Sequence, residues 1–141
     1  MTLVLQILAK DKTQWSLYQA EQLIASQIVD KFEQQDNFLA SLDQLLQQQN
    51  IHLDQIESMA LLVKEASLTQ VKLATAIINA LAWTNNKPVA GNFFYQTSDD
   101  KALAGAFIQL AKQQSFAPLS VKYLKPVDIT ISKKVNKFSL T

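Results

Sequence analysis

The chain contains no cysteine and no arginine in its 141 residues, and only two glycines. The lack of cysteine excludes a disulfide framework, a thiolate metal site and a cysteine nucleophile. Without arginine, the chain lacks the planar side chain that holds phosphate through two parallel hydrogen bonds. Neither Gly91 nor Gly105 lies at a strand-to-helix turn of the kind that binds phosphate. The sequence therefore disfavours a dedicated nucleotide site, and we expect no bound cofactor and no metal.

The composition is that of one globular domain, because 48% of the residues are hydrophobic. The apolar run at residues 1–8 has no basic segment before it and is too short for a signal peptide or a membrane span. A net charge of +1 provides no general attraction to nucleic acid or anionic lipid. We therefore expect a cytoplasmic protein with no membrane segment.

The end of the chain differs from the body in charge. After residue 121 the sequence carries five lysines against a single acid, Asp128. We predict that residues 1–118 form one lobe and that residues 119–141 form an extended basic tail. The tail is either a solvated extension or a patch for RNA or an acidic partner.

Hydrophobic periodicity predicts an α/β fold. Three short strands come first, and a helix follows whose apolar stripe includes Phe38, Leu42 and Leu45. A buried strand at 57–63 is predicted to lie parallel to the first strand, and Ser67 is placed to cap a second helix. A short strand and a third helix complete the order β-β-β-α-β-α-β-α. This order matches a single ribonuclease-H-like lobe of the type found in sugar kinases, heat-shock proteins and actin.

The second predicted helix, residues 67–84, is apolar on two sides, whereas a helix on a sheet needs only one apolar face. One stripe is formed by Leu73, Ile77, Ala80, Leu81 and Thr84, and the other by Val71, Ala74, Ile78 and Ala82. The second stripe is buried either by the first helix of the same domain or in an intermolecular helix bundle. For such a bundle the predicted partner-interface residues are Phe38, Leu42, Leu45, Val71, Ala74, Thr75, Ile78 and Ala82. On this hypothesis, Ile78→Asp breaks the pair and leaves the monomer folded.

Segments at residues 52–60, 67–76, 80–82 and 87–91 resemble, in that order, the TsaB (YeaZ) family. The run Val121-Lys122-Tyr123-Leu124-Lys125 is similar to a tyrosine-leucine-arginine segment near the C-terminus of that family. The resemblance covers nearly all of this chain but only about half of a typical member, because most of the second domain of the family has no counterpart here. The chain thus resembles a first lobe joined to a closing segment.

This resemblance implies a non-catalytic scaffold subunit. TsaB proteins pair through their first two helices with TsaD or with themselves, and TsaD supplies the metal, the nucleotide and the catalysis that form threonylcarbamoyladenosine beside the tRNA anticodon. Any contact of this chain with tRNA would then be indirect, through the complex. The superfamily ends its first strand with an aspartate and small hydroxyl residues, where this chain has Ala9, Lys10 and Asp11. Residues 62–66 replace the glycine-rich turn of the family, so the departures favour a protein without nucleotide binding.

Three alternatives stay open at this point: a nucleic-acid-binding module that acts through the lysine-rich tail, a self-associating homodimeric adaptor, and a residual nucleotide-binding enzyme. The first predicts RNA affinity that falls with salt and disappears when residues after Lys125 are removed. The only histidine, His52, is predicted to be a surface turn residue and not a catalytic base. Asp99 and Asp100 are predicted to cap the third helix and not to form a carboxylate pair.

Overall fold

The computed structural model describes residues 1–29, 37–95, 105, 108 and 116–120. Its strands are β1 (Thr2–Ala9), β2 (Lys12–Gln19), β3 (Gln22–Val29), β4 (Ser58–Val63) and β5 (Val89–Phe93). Its helices are α1 (Asn37–Gln48) and α2 (Leu68–Thr84), with one short 3-10 turn at Leu53–Gln55. The predicted order is confirmed as far as β5.

The five strands form one mixed sheet in the order β3-β2-β1-β4-β5. β1, β2 and β3 form an antiparallel meander, while β4 is parallel to β1 and β5 is parallel to β4. β1 lies in the centre, and its residues 2–7 are all buried. This explains why the strand is apolar at nearly every position, since side chains on both of its faces are covered. The predicted meander and the predicted parallel strand after α1 are confirmed.

Both helices lie on one face of the sheet, over different halves of it. α1 packs on β3 and β2, and α2 packs on β4 and β5. The indole Nε1 of Trp15 on β2 donates a 2.8 Å hydrogen bond to the carbonyl of Phe38, which fixes the start of α1 against the sheet. Because β1 separates the two halves, the helices leave a gap between them above the central strand.

The N-terminus of α2 is fixed by a capping box. The hydroxyl of Ser67 accepts from the backbone N–H of Gln70 at 3.2 Å, and the Gln70 amide oxygen accepts from the Ser67 N–H at 2.8 Å. The amide nitrogen of Gln70 also donates to the carbonyl of Lys10 at 2.5 Å. The predicted cap at Ser67 is confirmed, and the same glutamine ties the start of α2 to the β1–β2 turn.

The second face of the sheet carries its own apolar cluster, formed by Val4, Tyr18, Ala60, Leu62, Tyr95 and Ile108. Gly105 and Ile108 have helical backbone, and Ile108 is fully buried in this cluster. The remainder of the predicted third helix lies outside the described residues. In the described part of the chain, no helix has the length and apolar character needed to cross a bilayer.

Candidate protein-interaction groove

The gap between α1 and α2 forms an apolar groove of about 390 Å³ on the helical face of the molecule. The residues that line it come from both helices and from the connection after α1: Leu39, Leu53, Ala76, Ile77, Ala80, Leu81, Thr84 and Asn85. None of these lining residues carries an ionisable side chain. Ala76 and Ala80 are one helical turn apart and both exposed, so they make a shallow notch in the wall of α2.

Large apolar side chains stand exposed on the same helices. Leu39 at the start of α1 is 53% exposed, and Trp83 near the end of α2 is 71% exposed. Single exposed hydrophobic residues are common on protein surfaces, but a grouped apolar surface is typical of protein–protein contact sites. Leu39 lines the groove, and Trp83 lies three positions after the lining residue Ala80 on the same side of α2, so the groove belongs to a wider apolar surface.

A second pocket of about 540 Å³ continues the groove on the far side of Leu39 and Leu53, which line both cavities. It lies between one side of α1 and the connection at residues 50–53. Asp43 and His52 supply the ionisable groups of this pocket, and the amide of Gln47 donates to the Asp43 carboxylate at 3.0 Å. The two cavities together form a trough that is uncharged over α2 and polar at the end of α1.

The structure places all eight predicted interface residues inside the chain. Phe38, Leu42 and Leu45 on α1 are buried in the main core, with exposed fractions of 6% or less. The five predicted on α2 are its buried residues: Val71, Ala74, Thr75, Ile78 and Ala82. Their side chains pack toward the sheet of the same molecule, which corrects the residue assignment. The interface itself stays a prediction.

Sequence reasoning assigned Leu39, Ala76 and Ala80 no role in an interface. A signal for the α2 part was present, because the stripe through Ile77, Ala80 and Leu81 was recognised as apolar. The sequence interpretation places that stripe on the sheet and leaves the other stripe to be covered by α1 or by a partner, whereas the structure has the sheet covering the other stripe. The error exchanged the two sides of one helix.

Ala9 ends β1, and Lys10 and Asp11 form the β1–β2 turn. Lys10 and Asp11 are exposed, and the Lys10 carbonyl is occupied by Gln70. His52 is exposed, as predicted, and its backbone N–H donates to the side-chain oxygen of Gln55 at 2.7 Å. Asp99, Asp100 and the lysine-rich tail after residue 121 lie outside the described residues. Among the described residues, no group of three or more metal-ligating side chains comes together.

No protein-family profile matches the chain, and no curated protein sequence matches it. The solved structures that share its fold include two from Pseudomonas aeruginosa. YeaZ from Pseudomonas aeruginosa superposes with a TM-score of 0.56 at 17% sequence identity, over 65% of this chain and 42% of that chain. An uncharacterized protein with similarity to peptidase YEAZ, from Pseudomonas aeruginosa, superposes with a TM-score of 0.51 at 17% identity, over 65% and 42% of the two chains.

These comparisons confirm the predicted ribonuclease-H-like lobe and the predicted likeness to YeaZ, at the level of the fold. The chain spans less than half the length of the two solved structures. The likeness extends over 65% of this chain, which is less than the nearly complete coverage expected from the sequence.

Proposed function

We propose that the chain is a TsaB-like scaffold subunit with no catalysis of its own, which pairs in the cytoplasm with a TsaD-like protein in the formation of tRNA threonylcarbamoyladenosine. The observation that carries the proposal is the uncharged apolar groove between α1 and α2, on a lobe with the fold of YeaZ. In the isolated chain the groove is open to water. Covering it with a partner releases about 25 cal/mol for each Å² of apolar surface removed from water.

The shape of the groove supports a helix as the element that covers it. Its walls are two helices on the same sheet, and Ala76 and Ala80 are small enough for a third helix to approach closely. Leu39 and Ile77 supply apolar surface on either side of the notch. Glutamines, which carry no charge, supply much of the remaining exposed surface of α1: Gln44, Gln47 and Gln48. A polar, weakly charged rim around an apolar centre is the usual arrangement of a protein interface.

The proposal that the chain is not itself an enzyme is supported by the β1–β2 turn. An alanine there cannot coordinate a metal, and the amide of Gln70 bridges from α2 to the Lys10 carbonyl. A phosphate-binding turn requires backbone N–H groups that point at the ligand from a glycine-rich loop. Here the segment before α2 is Lys64-Glu65-Ala66, without glycine. Nucleotide and metal chemistry in the complex would therefore belong to the partner.

The test is co-expression of the full chain with the TsaD-like protein of the same organism, followed by size-exclusion chromatography. We expect co-elution, and we expect Ala76→Arg to abolish it, because the long cation fills the notch and must be buried by the partner without a counter-charge. The matched control is Ala40→Arg, an exposed alanine of α1 that does not line the groove. Both substitutions keep a good helix former at a helical position, so both chains should fold.

Other outcomes select the remaining hypotheses. Separate elution of the two proteins at all concentrations rejects the scaffold proposal. If the chain alone elutes as a dimer that Ala76→Arg converts to a monomer, the homodimeric adaptor is supported and the groove is its interface. Binding of RNA that weakens steeply with salt, and that disappears when residues after Lys125 are removed, supports the nucleic-acid-binding module.

A further inference from the structure

The margin of α2 that faces away from the groove carries a second arrangement, formed around residues 116–120. We call this segment the strap. The side-chain amide of Asn79 on α2 donates from Nδ2 to the carbonyl oxygen of Leu119 at 2.9 Å, and its Oδ1 accepts from the Leu119 N–H at 2.8 Å. One asparagine thus pairs with both backbone groups of one residue, as a neighbouring strand does in a sheet.

The glycine of β5 completes the contact. A Cβ atom at Gly91 would lie 2.9 Å from Cδ1 of Leu119, closer than real side chains come, and 3.3 Å from the carbonyl oxygen of Leu61. The absence of a side chain at Gly91 therefore admits the leucine.

The strap packs on the domain through two apolar side chains. Phe116 and Leu119 are partly buried against the main core, whereas Ala117, Pro118 and Ser120 are exposed. Pro118 fixes its own φ angle and keeps Ala117 in an extended conformation. The segment therefore presents an extended backbone with one apolar anchor on either side of the proline, and Asn79 binds the backbone of Leu119.

We propose that Asn79 and Gly91 form a binding site for an extended peptide with a leucine after a proline, and that the strap occupies this site within its own chain. The Asn79 amide binds the N–H and the carbonyl of one peptide residue and so fixes the direction of the peptide. The space beside Gly91 accepts the leucine side chain of that residue. A segment tethered to its own site has an effective concentration in the millimolar range, so it competes strongly with any free peptide of the same kind. The strap is thus an intramolecular competitor, and a peptide from another protein binds only when the strap is released. This proposal does not depend on the TsaD-like partner.

The first experiment measures hydrogen exchange of the Leu119 amide in the full chain. In Asn79→Ala we expect exchange about tenfold faster than in the unchanged chain, because the loss of a typical hydrogen bond shifts a local opening equilibrium by about this factor. The control is Lys72→Ala, an exposed position of the same helix, which should leave Leu119 exchange unchanged. Equal exchange rates in Asn79→Ala and in the unchanged chain would overturn the proposal.

The second experiment asks whether the site accepts a peptide in trans. The full chain with Leu119→Asp releases the strap, and an acetylated, amidated peptide with the sequence of residues 116–120 is then added at millimolar concentration. We expect the side-chain amide resonances of Asn79 to shift on titration in this variant but not in the unchanged chain, where the strap occupies the site. No shift in Leu119→Asp, or binding that persists when Asn79→Ala is added to it, would reject the site. If Leu119→Asp does not fold, the same titration is made with Leu119→Ala, which removes the apolar anchor without adding a charge, and the same two outcomes decide.

Discussion

The two sides of α2 are both apolar, yet they differ in what surrounds them. On the side toward the sheet, Val71, Ala74, Ile78 and Ala82 have no exposed surface. On the side toward the groove, Ala76 and Ala80 are exposed, and Leu73, Ile77 and Leu81 are partly buried. An apolar stripe on a helix therefore indicates a surface that is buried in a contact. It does not indicate whether the contact is made within the same chain or with another one.

The physical reason lies in the rotation of the helix about its axis. Periodicity locates the stripes relative to one another, whereas the contact with β4 and β5 decides which of them faces the sheet. Residue size does not distinguish the two sides, because Ala74 and Ala82 face the sheet while Ala76 and Ala80 face the groove. Large aliphatic side chains also occur on both sides, with Ile78 toward the sheet and Ile77 and Leu81 toward the groove. Ile78→Asp, expected from the sequence to leave the monomer folded, must therefore have the opposite effect.

The largest effect is expected from Ile78→Asp itself. The Ile78 side chain is fully buried in the core, so the carboxylate would be placed among apolar side chains without a partner. We expect a loss of about 4 kcal/mol or more in the free energy of unfolding, which is enough to unfold a domain of ordinary stability. Urea denaturation followed by circular dichroism measures it. The neighbouring Ile77→Asp, on the partly buried groove side, should cost only about 1 kcal/mol.

If Ile77→Asp and Ile78→Asp lower the free energy of unfolding by the same amount, the groove side of α2 is buried in the monomer, and the two sides do not differ as described. If neither unfolds, the assignment of Ile78 to the core is wrong.

A second, smaller effect separates two alanines that lie two positions apart. Ala74 is fully buried between α2 and the sheet, and Ala76 is exposed in the groove. Ala74→Leu inserts three carbons into a packed core and should cost about 1 to 3 kcal/mol of stability. Ala76→Leu adds the same atoms over open space and should change stability by less than about 0.5 kcal/mol. Thermal unfolding of the two variants in parallel is the measurement, and a destabilisation by Ala76→Leu equal to that by Ala74→Leu would contradict the exposed groove.

Much of the fold follows from local signals in the sequence. The period-two and buried runs identify β1 to β4, and Ser67 marks the start of α2 because its hydroxyl satisfies the backbone N–H of Gln70. The parallel pairing of β4 with β1 follows from a helical crossover between two buried strands. These features depend on residues close together along the chain, and they can therefore be predicted from the sequence alone.

The features that sequence reasoning missed depend on contacts between distant residues. Asn79 and Leu119 are 40 residues apart, and neither belongs to a motif that would pair an asparagine with a strap. Nothing in the sequence around Gly91 shows that a leucine lies against it. The groove was missed for the same reason: it exists because α1 and α2 pack on different halves of the sheet, and their spacing is set by the strand order.

The smallest effect on stability is expected at Trp83, and it sharpens the comparison on the partner side. Trp83 is 71% exposed on α2, whereas Trp15 is fully buried with its indole bonded to Phe38. Iodide should therefore quench the fluorescence of Trp83 and spare that of Trp15, and Trp83→Phe should remove the quenchable component while changing stability by less than about 0.5 kcal/mol. The same tryptophan reports on the complex: a partner that covers the exposed side of α2 must protect Trp83 from quenching by iodide. On the same reasoning, Trp83→Ala should weaken the complex about tenfold, since exposed tryptophans are frequent hot spots once they are covered. A complex that forms with Trp83 still fully quenchable would confine the interface to the groove and α1.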